Sequence, residues 1–176
     1  MKLALALPYE ANLAFAEMLE LTRRAEDLGF DSAWMPEAYG TDAISILAGL
    51  AAQTTRIRLG TGIINVFSRT PALIAQTAAT MDLISGGRFI LGLGTSGHQV
   101  ISGWHGLSFE RPVQRMRETV AIIRAILRRE SLRFDGEVFQ LSQGLKLQMH
   151  PMRAEIPIFL ATLTPAGLRL TGEVAN

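Results

Sequence analysis

Residues 84–97 read ISGGRFILGLGTSG, and the fold turns on how this stretch is read. Gly86 and Gly87 make a turn that releases an apolar run, Arg88 to Leu93. That run passes straight into a glycine-rich loop at Gly94, Thr95, Ser96 and Gly97. An apolar run without strict alternation suits a parallel strand covered on both faces. Such sheets bind ligands beyond the carboxyl ends of their strands, so chemistry is expected just after Leu93.

Working upstream, Leu3 to Leu7 reads as a strand closed by Pro8. Ala14 to Leu28 is a helix with an apolar stripe at Met18, Leu21, Ala25 and Leu28, a Glu20–Arg24 pair and a stop at Gly29. Ser32 to Met35 is a second strand, and Asp42 caps a helix from Ala43 to Gln53. Ile57 to Ile64 is a third strand. Thr70 then caps a helix that starts at Pro71, where no amide donor is needed, and turns Ile74, Ala78 and Met81 to the sheet.

Strand starts near residues 3, 32, 57 and 89 recur roughly every thirty residues, the length of a strand-helix unit with its loops. Downstream, residues 94–111 read as loop, followed by a helix with the stripe Val113, Met116, Val120, Ile123 and Leu127. Leu132 to Leu141 reads as a hairpin about Asp135-Gly136, extended through Leu145 and Leu147. Ile156 to Ala161 is a fifth strand, and Thr164 with Pro165 opens a further helix. The fold class is therefore α/β with a parallel sheet. Either five units belong to a (β/α)8 barrel, which takes about 250 residues, or they form an open doubly wound sheet.

With 176 residues, 48% of them hydrophobic, a single domain with a sizeable core is expected. The net charge of +1, with arginines scattered through helices, points away from nucleic acid and towards a small-molecule partner. There is no cysteine, hence no disulfide or thiolate chemistry. No run approaches a membrane span, and a cytoplasmic location with no membrane partner is expected.

The strand ends collect Pro8 and Tyr9, then Glu37, Ala38 and Tyr39, then Gly62 to Asn65, then Thr95 to Gln99, then Ala161 to Thr164. No serine triad signature, HExxH pair, calcium loop or phosphate-binding loop occurs, so a cofactor-carried reaction is attractive. Gly92, Gly94 and Gly97 spell GxGxxG, but a dinucleotide site needs a helix opening directly on the glycines. The residues after them hold Gly103 and Gly106 before Pro112 and read as loop. His98 lies in the site loop, where an imidazole can move a proton near neutral pH. His105 follows Trp104, and the pair either walls a planar ligand or packs beneath the loop. His150 sits in a connector.

LISGGRFILGLGTSGHQVISGWHG, RIRLGTGIINVFSRTPALIAQTAATMDLISGGR and LRFDGEVFQL together resemble the luciferase-like monooxygenase superfamily, in particular its coenzyme F420-dependent branch. The resemblance implies a TIM-type barrel, of which this chain is the N-terminal part and is expected to be truncated, with a deazaflavin across the carboxyl ends of the strands. Flavin mononucleotide (FMN) is the alternative cofactor. It also implies a bulge with a non-prolyl cis peptide at Gly62-Ile63 behind the ring, with Asn65 at the ring's polar edge. Glu37 and Ala38 match the ring-proximal pair, Thr95, Ser96, Gly97, His98 and Gln99 the loop beside the ring, and Ala161, Thr162 and Leu163 a backbone cradle towards the phosphate. Relatives that oxidise sugar phosphates or alcohols carry histidine where this chain has Ala38, and some carry glutamate at Gly97. The proton partner is then His98, Glu37, Tyr39 or the substrate itself, and reduction of an electrophilic double bond is favoured over alcohol oxidation. Two readings compete, an FMN-dependent monooxygenase and a non-catalytic barrel fragment that associates through its strand edges; homodimer formation is left open.

Overall fold

The computed structural model describes residues 1–8 and 13–176; Tyr9, one of the strand-end candidates, lies outside the described residues. The barrel strands are β1 (Ala4–Ala6), β2 (Ser32–Met35), β3 (Arg58–Thr61), β4 (Ile64–Asn65), β5 (Phe89–Gly94) and, after a two-stranded excursion, β8 (Ile158–Ala161). All their pairings are parallel, and β1, β2, β3, β5 and β8 lie side by side in chain order. A doubly wound sheet reverses its strand order at a switch point. No reversal occurs among the described strands, so the architecture is that of a barrel whose sheet does not close.

The helices are α1 (Phe15–Asp27), α2 (Ala43–Ala51), α3 (Pro71–Ile84), α4 (Pro112–Leu127) and α5 (Pro165–Val174), and each packs against the next. Three start as their sequence dictates. Asp42 accepts from Ser45 N at 2.6 Å, Thr70 from Leu73 N at 3.2 Å and Thr164 from Gly167 N at 3.1 Å. No helix among the described residues is long and apolar enough to cross a membrane.

Several expectations need correction. On α1, Met18 and Ala25 are buried as read, but Leu21 and Leu28 are 43% and 63% exposed. Thr22 and Glu26 take the inward positions instead. Thr22 satisfies its hydroxyl on Met18 O at 2.7 Å. One carboxylate oxygen of Glu26 accepts the amides of Thr55, Arg56 and Ile57 at 2.9, 2.6 and 2.9 Å, which makes a buried acid tolerable. Burial acts to raise the Glu26 pKa, but these amides and Arg56 outweigh it and hold the carboxyl below its ordinary value. The Glu20–Arg24 pair is absent among the described ion pairs. The segment read as loop after Gly97 contains a π-helical turn, Gln99–Trp104, anchored by the fully buried Ile101, whose amide donates to Gly97 O at 3.0 Å.

The third strand is also not continuous. Gly60 pairs with Ile90 and Ile64 with Leu93, so four steps on one side of the ladder face three on the other. The extra residue is a bulge between Gly60 and Ile64, and the Gly62-Ile63 peptide there is cis.

The face of the sheet turned away from the helices is filled from a distance. Met35 and Ala33 point to the helical core, so Trp34 points the opposite way. Its indole lies flat on Gly60 and reaches Phe159 of β8, with ring centroids 5.5 Å apart, while its Nε1 donates to Ser32 Oγ at 2.9 Å. A Cβ at Gly60 would sit 2.5 Å from Trp34 Cε3.

The excursion is a hairpin of β6 (Leu132–Asp135) and β7 (Gln140–Leu145), and one buried residue holds it to α4. Glu118 is 3% exposed and accepts the amides of Glu137, Val138 and Phe139 at 2.8, 3.0 and 2.9 Å, together with Gln114 Nε2 at 2.8 Å. Burial acts to raise its pKa, but these donors outweigh it and keep the carboxyl below its ordinary value.

Two tests follow from the packing. Gly60→Val should displace Trp34 and lower stability by about 1–3 kcal/mol, read as a lower denaturation midpoint with altered tryptophan fluorescence. Because the folded Glu118 carboxyl is depressed, its contribution is fully present above the ordinary glutamate pKa of about 4.3 and lost as pH falls below it. Thermal melts at pH 7 and pH 4 should therefore show a smaller acid-induced loss in Glu118→Gln than in the native chain.

Candidate functional site

The bulge shapes the carboxyl end of the sheet. Thr61 bridges the mismatch, its hydroxyl donating to Gly92 O and accepting from Gly92 N, both at 2.8 Å. Gly92 has no room for a Cβ, which would collide with Thr61 O. Beyond the cis peptide, the Ile63 side chain comes down over Gly94, where a Cβ would lie 2.8 Å from Ile63 Cγ1. Ser96 then takes a left-handed conformation, φ 55°, and turns the chain into the π-helical turn.

A cavity of about 740 Å³ opens here, within the range of small-molecule and cofactor sites. Of the residues singled out in the sequence, Ile63, Thr95, Ser96, Gly97, Ala161, Thr162 and Leu163 line it together. Thr164, the last of the strand-end candidates, also lines it, and the other side is supplied by residues the sequence reading did not assign to a site: Phe109, Val113 and Met116 around the start of α4, and Leu170 and Thr171 on α5. Val113 and Met116 head the apolar stripe of α4. The available signal was that this stripe begins level with the strand ends. No charged side chain is among the described lining residues.

The remaining candidates lie off that wall. Gly62 is exposed at the cis peptide. Asn65 is only 1% exposed, and its Oδ1 is already used by Phe67 N at 3.0 Å and Ser68 N at 2.7 Å, so its oxygen organises the turn after β4. Glu37 is tied on both oxygens. Arg69 Nη1 donates to Oε1, while Arg69 Nη2 and Ala43 N reach Oε2, each at 3.0 Å. Arg69 also reaches Asp42 at 2.7 Å. The hydrogen bond to Glu37 raises the Arg69 pKa against the pull of burial. Burial works to raise the Asp42 carboxyl, but its Ser45 hydrogen bonds and Arg69 hold it lower. This network secures the start of α2 and holds the Glu37 carboxylate in place. Ala38 is partly buried beside it, and Tyr39 is 61% exposed. His98 and Gln99 are exposed at the rim, with the His98 ring edge-on to Phe109 at 6.3 Å.

The residues present suit a planar, largely uncharged ring. The wall is apolar, the hydroxyls of Thr95, Ser96 and Thr162 are spaced along it, and a Cβ at Gly97 would meet no protein atom within 4 Å.

Comparison with known proteins follows the same lines. The family model described as luciferase-like monooxygenase matches residues 1–176. A protein of Mycobacterium tuberculosis that bears the name of a coenzyme F420-dependent oxidoreductase is 42% identical, over 100% of this chain and 54% of its own length. The 5,10-methylenetetrahydromethanopterin reductase of Archaeoglobus fulgidus is 35% identical, over 97% of this chain and 50% of its own. Among solved structures, the coenzyme F420-dependent tetrahydromethanopterin reductase from Methanopyrus kandleri superposes with a TM-score of 0.89 at 27% identity, over 99% of this chain and 54% of that one. The chain thus spans about half the length of these relatives. With its parallel strands in chain order, its bulged third strand and a family match along its whole length, the chain belongs to the luciferase-like monooxygenase family.

Proposed function

We propose that this chain carries the ring-binding wall of a coenzyme F420-dependent oxidoreductase that transfers a hydride between the deazaflavin and a small organic substrate. The observation that carries the reading is the cavity at the strand ends, with no charged side chain among its described lining residues, where Ile63, the loop 95–97 and Ala161 to Leu163 converge. The F420-linked names of the relatives support it. Bound there, the deazaflavin supplies the hydride-carrying carbon.

The protein's part is placement. Ile63 and the backbone of Gly62 back the ring, the Thr95 and Ser96 hydroxyls offer hydrogen bonds, and Ala161, Thr162 and Leu163 form the cradle on the β8 side. Phe109, Val113 and Met116 close the far wall with apolar surface, which orients a substrate without offering it charge. Among the proton partners, Glu37 is held by Arg69 and Tyr39 stands outside the wall, so His98 at the rim is assigned the proton transfer. With no acid or base at Ala38 or Gly97, reduction of an electrophilic double bond is the favoured reaction. An FMN-dependent monooxygenase is the second reading, favoured by the family's own description.

Fluorescence titration separates the two. Saturable binding of F420, without comparable binding of FMN, is the expected result; saturable FMN binding with no F420 binding overturns the assignment. Gly97→Phe places a ring in the open space beside Ser96 and should weaken F420 binding by about tenfold or more while the melting temperature stays within experimental error. His98→Gln should reduce turnover about 100-fold, in the range of a lost general acid, with F420 affinity unchanged.

A further inference from the structure

A column of stacked groups runs from the hairpin to the rim of the cavity. The Arg115 guanidinium carbon lies over the ring of Phe139, at the end of the hairpin turn, 5.1 Å from its centroid. Phe67 covers the guanidinium at 4.7 Å. Phe67 stacks in turn on Phe109 at 5.1 Å, and Phe109, which lines the cavity, meets the His98 ring edge-on at 6.3 Å.

Arg115 has an unusual setting for a cation. It pairs with no carboxylate among the described residues, and its Nε is buried with no hydrogen-bond partner. Both rings lie within 5.1 Å of its guanidinium carbon, and a planar guanidinium can stack on aromatic faces, whereas an ammonium meets them only as a compact point charge. The outer ring is itself held, since Glu118, three residues further along α4, accepts the Phe139 amide at 2.9 Å. The hairpin is therefore already anchored to α4 without Arg115. What Arg115 adds is a filled contact between Phe139 and Phe67, the ring that supports Phe109.

We propose that Arg115 is a positioning residue of the candidate site: lying over both Phe67 and Phe139, it sets the Phe109 wall and, through it, the orientation of His98. The consequence for ligand binding rests on the function proposed above, while the packing relation stands without it.

Proton NMR of the imidazole resonances in the cofactor-free chain provides the test. His98 is assigned through His98→Gln, and His150, which contacts Arg129 at 3.2 Å away from the column, serves as the internal control. Phe109→Leu, Arg115→Met and Arg115→Lys should each shift the His98 resonances, because neither methionine nor lysine presents a planar guanidinium to both rings; His150 should stay in place. In the same variants of Arg115 the F420 dissociation constant should rise about fivefold. Should Arg115→Met not fold, Arg115→Lys, which keeps the stem and the charge, carries the test. His98 resonances that remain at native positions while the unfolding midpoint drops overturn the proposal, since Arg115 then only braces the hairpin. Failure of the native chain to bind F420 defeats the functional reading instead and leaves the resonance shifts as the measure of this one.

Discussion

One residue too many between Gly60 and Ile64 shapes the carboxyl end of the sheet. A parallel ladder cannot absorb an unmatched residue without losing pairing locally, and the chain meets that demand with the Thr61 hydroxyl, which both donates to and accepts from Gly92. The side chain could not do this if the facing strand carried a Cβ at that point. Ile63 is thereby delivered over Gly94 and onto the cavity wall. Gly92 and Gly94, two of the three glycines that make residues 91–97 look like a dinucleotide loop, serve close approach between neighbouring strands, and the chain-order sheet has no switch point among the described strands for a dinucleotide to straddle.

The charges are spent away from the cavity. Glu26 ties three amides before β3, Glu118 ties three at the hairpin, Glu37 and Asp42 share Arg69 at the start of α2, and Arg153 makes a two-pronged bond to the fully buried Asp82 beneath β5. Each carboxylate finds enough donors to offset its desolvation, and each fixes a connection between elements that the apolar core alone would leave free to slide. The described lining of the cavity carries no charged side chain.

Much of the framework was legible because it depends on local chemistry. The caps at Asp42, Thr70 and Thr164, the proline at the first turn of α3, the stop at Gly29 and the burial of Ile74, Ala78 and Met81 all follow from residues within a few positions of one another. The split of the third strand was not legible from periodicity, since RLGTGIIN alternates well enough for one strand and the mismatch exists only relative to β5. The π-helical turn was hidden for a similar reason: it is held by Ile101 entering the core, not by a repeating pattern. The inward Thr22 and Glu26 of α1 also escaped, because their partners lie in other elements or in the backbone.

The sequence by itself determined the alternation of strand and helix, the parallel character of the sheet and the loops that gather at its carboxyl end, since these rest on hydrophobic period, capping and turn residues that act over short range. Tertiary structure alone decided which candidates share a cavity. It brought Ile63, Thr95 to Gly97 and Ala161 to Leu163 to one wall, added Phe109, Val113 and Met116 opposite, and drew Glu37 into an ion pair and Asn65 into a buried turn. The physical reason is that site membership depends on which polar groups have already been satisfied by distant neighbours, and that is settled only when strands distant in sequence come to lie side by side.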